Sequence, residues 1–224
     1  MNIITLFHGS NEKVTQPKFG LGKSNNDYGR GFYCTLDKEL AKEWASNEFC
    51  DGYVNSYQLD LSKLRVLDLT KEDHSIVEWI CLLLTNREVK FSSRIDSSLL
   101  DYLNKNFSID ISQYDVVIGY RADDSYFSFV RGFVNNQISL DQLKSIMKLG
   151  ELGTQYVLIS PLAFSLIKYI DSEIVDSKTY FPKKQNRMDK AIYSFRHNFP
   201  FDKDGLFLLD IVRNEIKRDD KRLF

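Results

Sequence analysis

The stretch Gly29-Arg30-Gly31-Phe32-Tyr33-Cys34-Thr35-Leu36-Asp37 changes character three times. Two glycines bracket an arginine, which reads as a tight turn; a phosphate cradle would call for a following Gly-Lys-Ser/Thr or a GxGxxG spacing, and neither is present. Residues 32–35 form a short apolar run suited to a strand. Thr35 and Asp37 then offer side-chain oxygens to the free N–H groups of a helix start, predicting a helix over 38–49 that carries Trp44.

Upstream, residues 3–7 are apolar and partly β-branched and stop at His8-Gly9-Ser10, a polar trio that suits a strand exit. Residues 16–31 are rich in Gly, Asn, Lys and Asp, the composition of a long solvated loop of the kind that folds over a ligand. Downstream, strands are expected at 53–59, 65–69 and 115–120, with helices at 73–85, 96–104, 126–134 and 140–148. WICLLL, residues 79–84, reads as a buried helix segment, too short for a membrane span. Residues 155–159 read as the last clear strand, and Pro161 suits the first turn of a helix carrying 164–170. This mixed order predicts an α+β fold rather than a regular βαβ array.

From residue 171 the texture changes. Lys183-Lys184-Gln185-Asn186-Arg187 and Lys217-Arg218-Asp219-Asp220-Lys221-Arg222 flank a helix-like stretch and an apolar run at 206–212. The expected organisation is therefore a domain over 1–170 and an extension over 171–224 packed on it. A net charge of -1 supplies no global field toward nucleic acid or an acidic membrane. Three cysteines without CxxC spacing point away from a disulfide framework and a zinc site, so no metal is expected. The start, MNIITLFHGS, lacks the basic and apolar regions of a secretory signal, and a cytoplasmic protein without membrane association is expected.

His8-Gly9-Ser10, then Gly29 to Thr35, then an acid-led helix with Ala41 and Trp44, together resemble the NAD⁺ site of poly(ADP-ribose) polymerases and diphtheria-toxin-like transferases. Thr154-Gln155-Tyr156-Val157-Leu158 resembles the third motif of that superfamily, with Gln155 where the superfamily has Glu. Residues 3 to about 170, including Asp115-Val116-Val117-Ile118-Gly119 and Ala122-Asp123-Asp124, more narrowly resemble a bacterial branch described as a domain of unknown function, DUF3990-like.

The resemblance implies split antiparallel sheets with flanking helices, and NAD⁺ as co-substrate. It implies that the backbone of Gly9 pairs with the nicotinamide carboxamide, His8 bonds a ribose hydroxyl, Tyr33 stacks on the nicotinamide ring and Trp44 forms a second wall. Ser10 and Gly31 would border the ligand, while Arg30 and Lys23 would meet its pyrophosphate. Ala41 stands where the polymerases carry a Ser that bonds the carboxamide. Gln155 keeps a hydrogen-bonding amide but brings no charge, so Asp123 or Asp124 is the candidate source of negative charge, with Glu151 requiring a curled backbone. Gly153 stands where the arginine-modifying toxins have an acid or amide, which argues against arginine as acceptor. The expected activity is mono-ADP-ribosylation of a protein or nucleic acid, in a toxin restrained by a small antitoxin-like partner. An inactive NAD⁺ or ADP-ribose-binding module and an NAD⁺ glycohydrolase are the alternatives.

Overall fold

The computed structural model describes residues 2–87, 94–122, 124–149, 153–198 and 202–224. In chain order these form β1 (Ile3–Ser10), β2 (Phe32–Cys34), α1 (Lys38–Ala45), β3 (Gly52–Asp60), β4 (Val66–Asp68), α2 (Ile76–Asn86), α3 (Arg94–Phe107) and β5 (Val116–Tyr120). There follow α4 (Asp124–Val134), α5 (Leu140–Leu149), β6 (Thr154–Leu158), α6 (Pro161–Leu166), β7 (Lys168–Val175), α7 (Ser177–Asn198) and α8 (Leu208–Arg213). The protein is α+β, with one sheet in the order β1-β3-β7 and another in the order β2-β6-β5-β4. Phe7 and Thr35 join them, exchanging both backbone hydrogen bonds at 2.8 and 2.9 Å.

All pairs are antiparallel except β4 with β5, which run parallel. That departs from the expected antiparallel sheets for a topological reason: the chain returns from β4 to β5 through α2 and α3, and such a helical crossover brings a strand back in the same direction. Every residue of α2 from Ile76 to Leu84 is buried, all but Glu78 apolar, so this helix is covered on every side and forms the centre of the larger core with α3, α4 and α5.

Asp37 caps α1, its carboxylate accepting from the N–H groups of Glu39 and Leu40 at 2.8 and 3.1 Å. The helix ends at Ala45, earlier than residue 49, because β3 enters directly against it. A Cβ on Gly52 would lie 2.2 Å from the Ala45 carbonyl oxygen.

The helix expected through 170 is instead α6 followed by β7, which pairs along β3 from Gly52↔Val175 to Gln58↔Lys168. Residue 170, the expected boundary, thus falls inside a strand. Residues 171–224 also fill the cores: Leu208, Ile211 and Leu223 are fully buried in the larger one. The α7 helix lies on α1 through Arg187, whose guanidinium bonds Glu43 at 2.6 and 2.8 Å. Among the described residues, no helix is long and apolar enough to cross a membrane.

Candidate functional site

Beyond the Phe7–Thr35 bridge the two sheets part, and a cleft of about 1220 Å³ opens there. His8, Gly9, Gly31, Tyr33, Trp44 and Gln155 all line it, brought from β1, the turn before β2, β2, α1 and β6. Residues two apart on a strand turn their N–H and C=O to the same edge. Phe7 uses that edge to bond Thr35, so Gly9 directs its N–H and C=O the same way, past the end of the bridge and toward the cleft. Gly9 is a glycine because α1 crowds it: a Cβ would lie 2.0 Å from the Ala41 carbonyl oxygen. Ala41 is itself fully buried and does not line the cleft.

The His8 Nδ1 lies 2.7 Å from the Tyr33 carbonyl oxygen. A carbonyl only accepts, so Nδ1 carries the hydrogen and Nε2 of the neutral ring is left as an acceptor. Burial holds the His8 pKa below its ordinary value, against the raising effect of that bond. The ring is further set by Phe32, with centroids 4.3 Å apart.

The Tyr33 hydroxyl donates to the Gly29 carbonyl at 2.6 Å and accepts from the Tyr28 N–H at 3.1 Å. It fastens the end of the loop before β2, and burial pushes its pKa far up, so it stays protonated. Gly29 has φ 73°, confirming a tight turn there. Gly31 is pressed against β6, where a Cβ would meet Val157 at 2.6 Å.

Trp44 lines the cleft, but its ring is covered: the Arg121 guanidinium sits 3.7 Å from the ring centroid. A cation over an indole face is itself a favourable contact, so Trp44 lines the cleft together with Arg121. The indole Nε1 is buried with no hydrogen-bond partner among the described residues.

Gln155 is 4% exposed, and its Nε2 donates to Asp27 Oδ2 at 3.3 Å. Its Oε1 is left buried with no donor among the described residues. Asp27, also 4% exposed, was missed in the sequence. Its Oδ2 accepts from the Ala122 N–H at 2.8 Å, and Oδ1 lies 2.9 Å from Arg87 Nε. Burial raises the Asp27 pKa, opposed by Arg87, the Ala122 N–H, Arg121 and Gln155. Arg87 and Arg121 also line the cleft and were likewise missed.

Ser10 and Arg30 do not line the cleft. The Ser10 hydroxyl donates to the Glu12 carbonyl at 2.6 Å and accepts from Asn55, while Arg30 is exposed beside the Gly29 turn. Lys23 does line it. Asp123 and Glu151 lie outside the described residues, as does the Asp124 side chain. Asn55 is fully buried and ties the end of β1 to the loop and to β7, its Oδ1 accepting from the Val14 N–H at 3.0 Å and from Ser172 at 2.7 Å. Among the described residues, no group of three or more His, Cys, Asp or Glu is placed to hold a metal ion.

Fold and site together define an α+β protein with a cleft of about 1220 Å³ between two bridged sheets. Residues 4–169 match the family model described as "Protein of unknown function (DUF3990)", and the chain belongs to that family. No curated protein and no solved structure matches it.

Proposed function

We propose that the protein is a mono-ADP-ribosyltransferase that takes NAD⁺ in this cleft, breaks its nicotinamide glycosidic bond and passes ADP-ribose to a macromolecular acceptor. The observation that carries the reading is the convergence of His8, Gly9, Tyr33 and Gln155, from three separate strands, on one cleft of about 1220 Å³. That volume exceeds the range of roughly 300–1,000 Å³ common for small-molecule pockets, which suits a dinucleotide.

Bond breaking needs little proton transfer. The electron pair of the C–N bond leaves with nicotinamide, and the ribose carries developing positive charge. In this reading the open edge of Gly9 meets both halves of the carboxamide, donor to acceptor and acceptor to donor. The free Nε2 of His8 accepts from one ribose hydroxyl, and the buried Oε1 of Gln155 from another, which relieves the cost of a buried acceptor without a donor. Tyr33 provides a single aromatic face. Arg121, already seated on Trp44, serves the phosphates in place of Arg30, with Lys23 at the rim.

The basic segments are largely used within the molecule. Arg187 bonds Glu43, Lys183 lies 3.9 Å from Glu39, and Arg218 Nε is 3.0 Å from the buried Glu78. This favours a protein over a nucleic acid as acceptor. A small protein covering the cleft would restrain the activity, as in a toxin with its antitoxin, and a cytoplasmic setting goes with that arrangement.

One observation favours an alternative: Gln155 is neutral, the composition of a module that binds NAD⁺ or ADP-ribose without turnover. NAD⁺ labelled in its adenylate, incubated with the protein and a cell extract, separates the readings. Label on a macromolecule is the expected result. Free ADP-ribose alone would make the protein a glycohydrolase, and saturable binding without nicotinamide release would make it a binding module. A protein that neither binds nor cleaves NAD⁺ overturns the site assignment.

A further inference from the structure

One buried titratable group of the cleft is not needed by the reading above. Asp27 comes from a loop, yet only 4% of it is exposed, and it lines the cleft with two hydrogen-bond donors and a guanidinium at its carboxylate among the described residues. The Ala122 N–H and Gln155 Nε2 share Oδ2, and Arg87 faces Oδ1. Two further contacts fix the loop around it. The Tyr28 hydroxyl donates to the Tyr120 carbonyl at 2.6 Å, and Asn86 Nδ2 donates to the Asp27 carbonyl at 3.4 Å. A buried ion pair contributes little net stability once its desolvation is counted, so the Arg87 pairing alone does not account for a carboxylate at this place.

We propose that Asp27 is a positioning residue that supplies the negative charge of this site and acts through Gln155, an inference that rests on the cleft's taking NAD⁺. Two consequences follow from the Asp27–Gln155 bond. A carboxylate only accepts, so it holds the amide with Nε2 inward and Oε1 free for a ribose hydroxyl. Its charge also polarises the amide, making Oε1 a stronger acceptor as the C–N bond breaks and the ribose becomes an oxocarbenium cation. The bonding electrons leave on nicotinamide, the acceptor's nucleophile then bonds the anomeric carbon and gives up its proton to solvent, and Asp27 neither gains nor loses a proton. Negative charge thus enters the site from residue 27, one bond removed from the neutral side chain at 155.

The test moves the charge. Nicotinamide release from NAD⁺ and NAD⁺ binding by calorimetry are measured for the parent, Asp27→Asn, Gln155→Glu and the double variant Asp27→Asn/Gln155→Glu. Asp27→Asn is expected to lower kcat by roughly 100-fold, the scale of losing one preorganised electrostatic group, while KM stays within about threefold. Gln155→Glu alone puts two carboxylates side by side and is expected to be impaired as well. The double variant restores one charge and one donor, and is expected to exceed Asp27→Asn by roughly tenfold or more, a rescue that a merely structural role would not produce.

Equal turnover by Asp27→Asn and the parent overturns the proposal, as does a folded double variant no better than Asp27→Asn. Should the variants fail to fold, the parent decides. With uniform ¹³C and ¹⁵N labelling, the Gln155 side-chain amide, assigned through its own carbons, is expected to exchange slowly and to shift on adding NAD⁺. Exchange as fast as that of surface glutamines overturns the proposal. A parent that neither binds nor cleaves NAD⁺ overturns the NAD⁺ reading itself, a failure distinguishable from the other three by the calorimetry.

Discussion

Replacing Tyr33 by phenylalanine removes one oxygen and keeps the ring. That oxygen bonds two backbone groups at once, the Gly29 carbonyl at 2.6 Å and the Tyr28 N–H at 3.1 Å, and both residues are buried. Each group left without its partner costs about 1–3 kcal/mol, and a loop that relaxes in part brings the sum to about 2–3 kcal/mol. For a chain of this size each kcal/mol lowers Tm by about 2–4 °C, so scanning calorimetry is expected to show a drop of roughly 4–12 °C. The aromatic face survives, so NAD⁺ affinity measured where both proteins are folded is expected to fall less in Tyr33→Phe than in Tyr33→Ala. A Tm within about 1 °C of the parent would refute the idea that the phenol fastens the loop.

Two further outcomes are expected. Gly119→Ala places a Cβ 2.2 Å from the Tyr28 hydroxyl oxygen and forces that ring off the Tyr120 carbonyl. Overpacking of this kind costs about 1–3 kcal/mol, and an unchanged urea midpoint would mean that Tyr28 moves freely. His8 gives the stability a pH dependence of definite sign. Its folded pKa lies below the ordinary 6.5, so the unfolded chain takes up the proton first as pH falls. The His8 contribution is therefore complete above 6.5 and is lost as pH falls through 6.5 toward the depressed value. His8→Asn should flatten that part of the stability profile, and an equal slope in the variant would exclude this source.

The α+β class and most elements were legible because their signals are local. Asp37 caps α1, Pro161 opens α6, and the apolar run of α2 is a buried helix. His8, Gly9, Tyr33 and Gln155 were legible through motif order, and they meet in one cleft. Asp27 was hidden within a stretch that composition marks as solvated. The loop is exposed over most of 15–25, but its last part turns inward, and only Tyr28, a large aromatic placed before Gly29, hinted at burial. Arg121 gave no sign of its seat on Trp44, since that contact joins residues far apart in sequence. The first three residues of β7 were read as the end of a helix because Tyr169 and Ile170, with Ile167 just before the strand, suit either period in so short a run. Its identity is set by β3, a long-range partner that no local window contains.

The family match stops at residue 169, two residues into β7. A fragment trimmed there would strip β3 of its neighbour and leave a row of open amides and carbonyls at the rim of the sheet, a template for aggregation. Recombinant work on the cleft is therefore best done with the polypeptide kept whole through its final helices, even though no described residue of the tail lines the pocket wall.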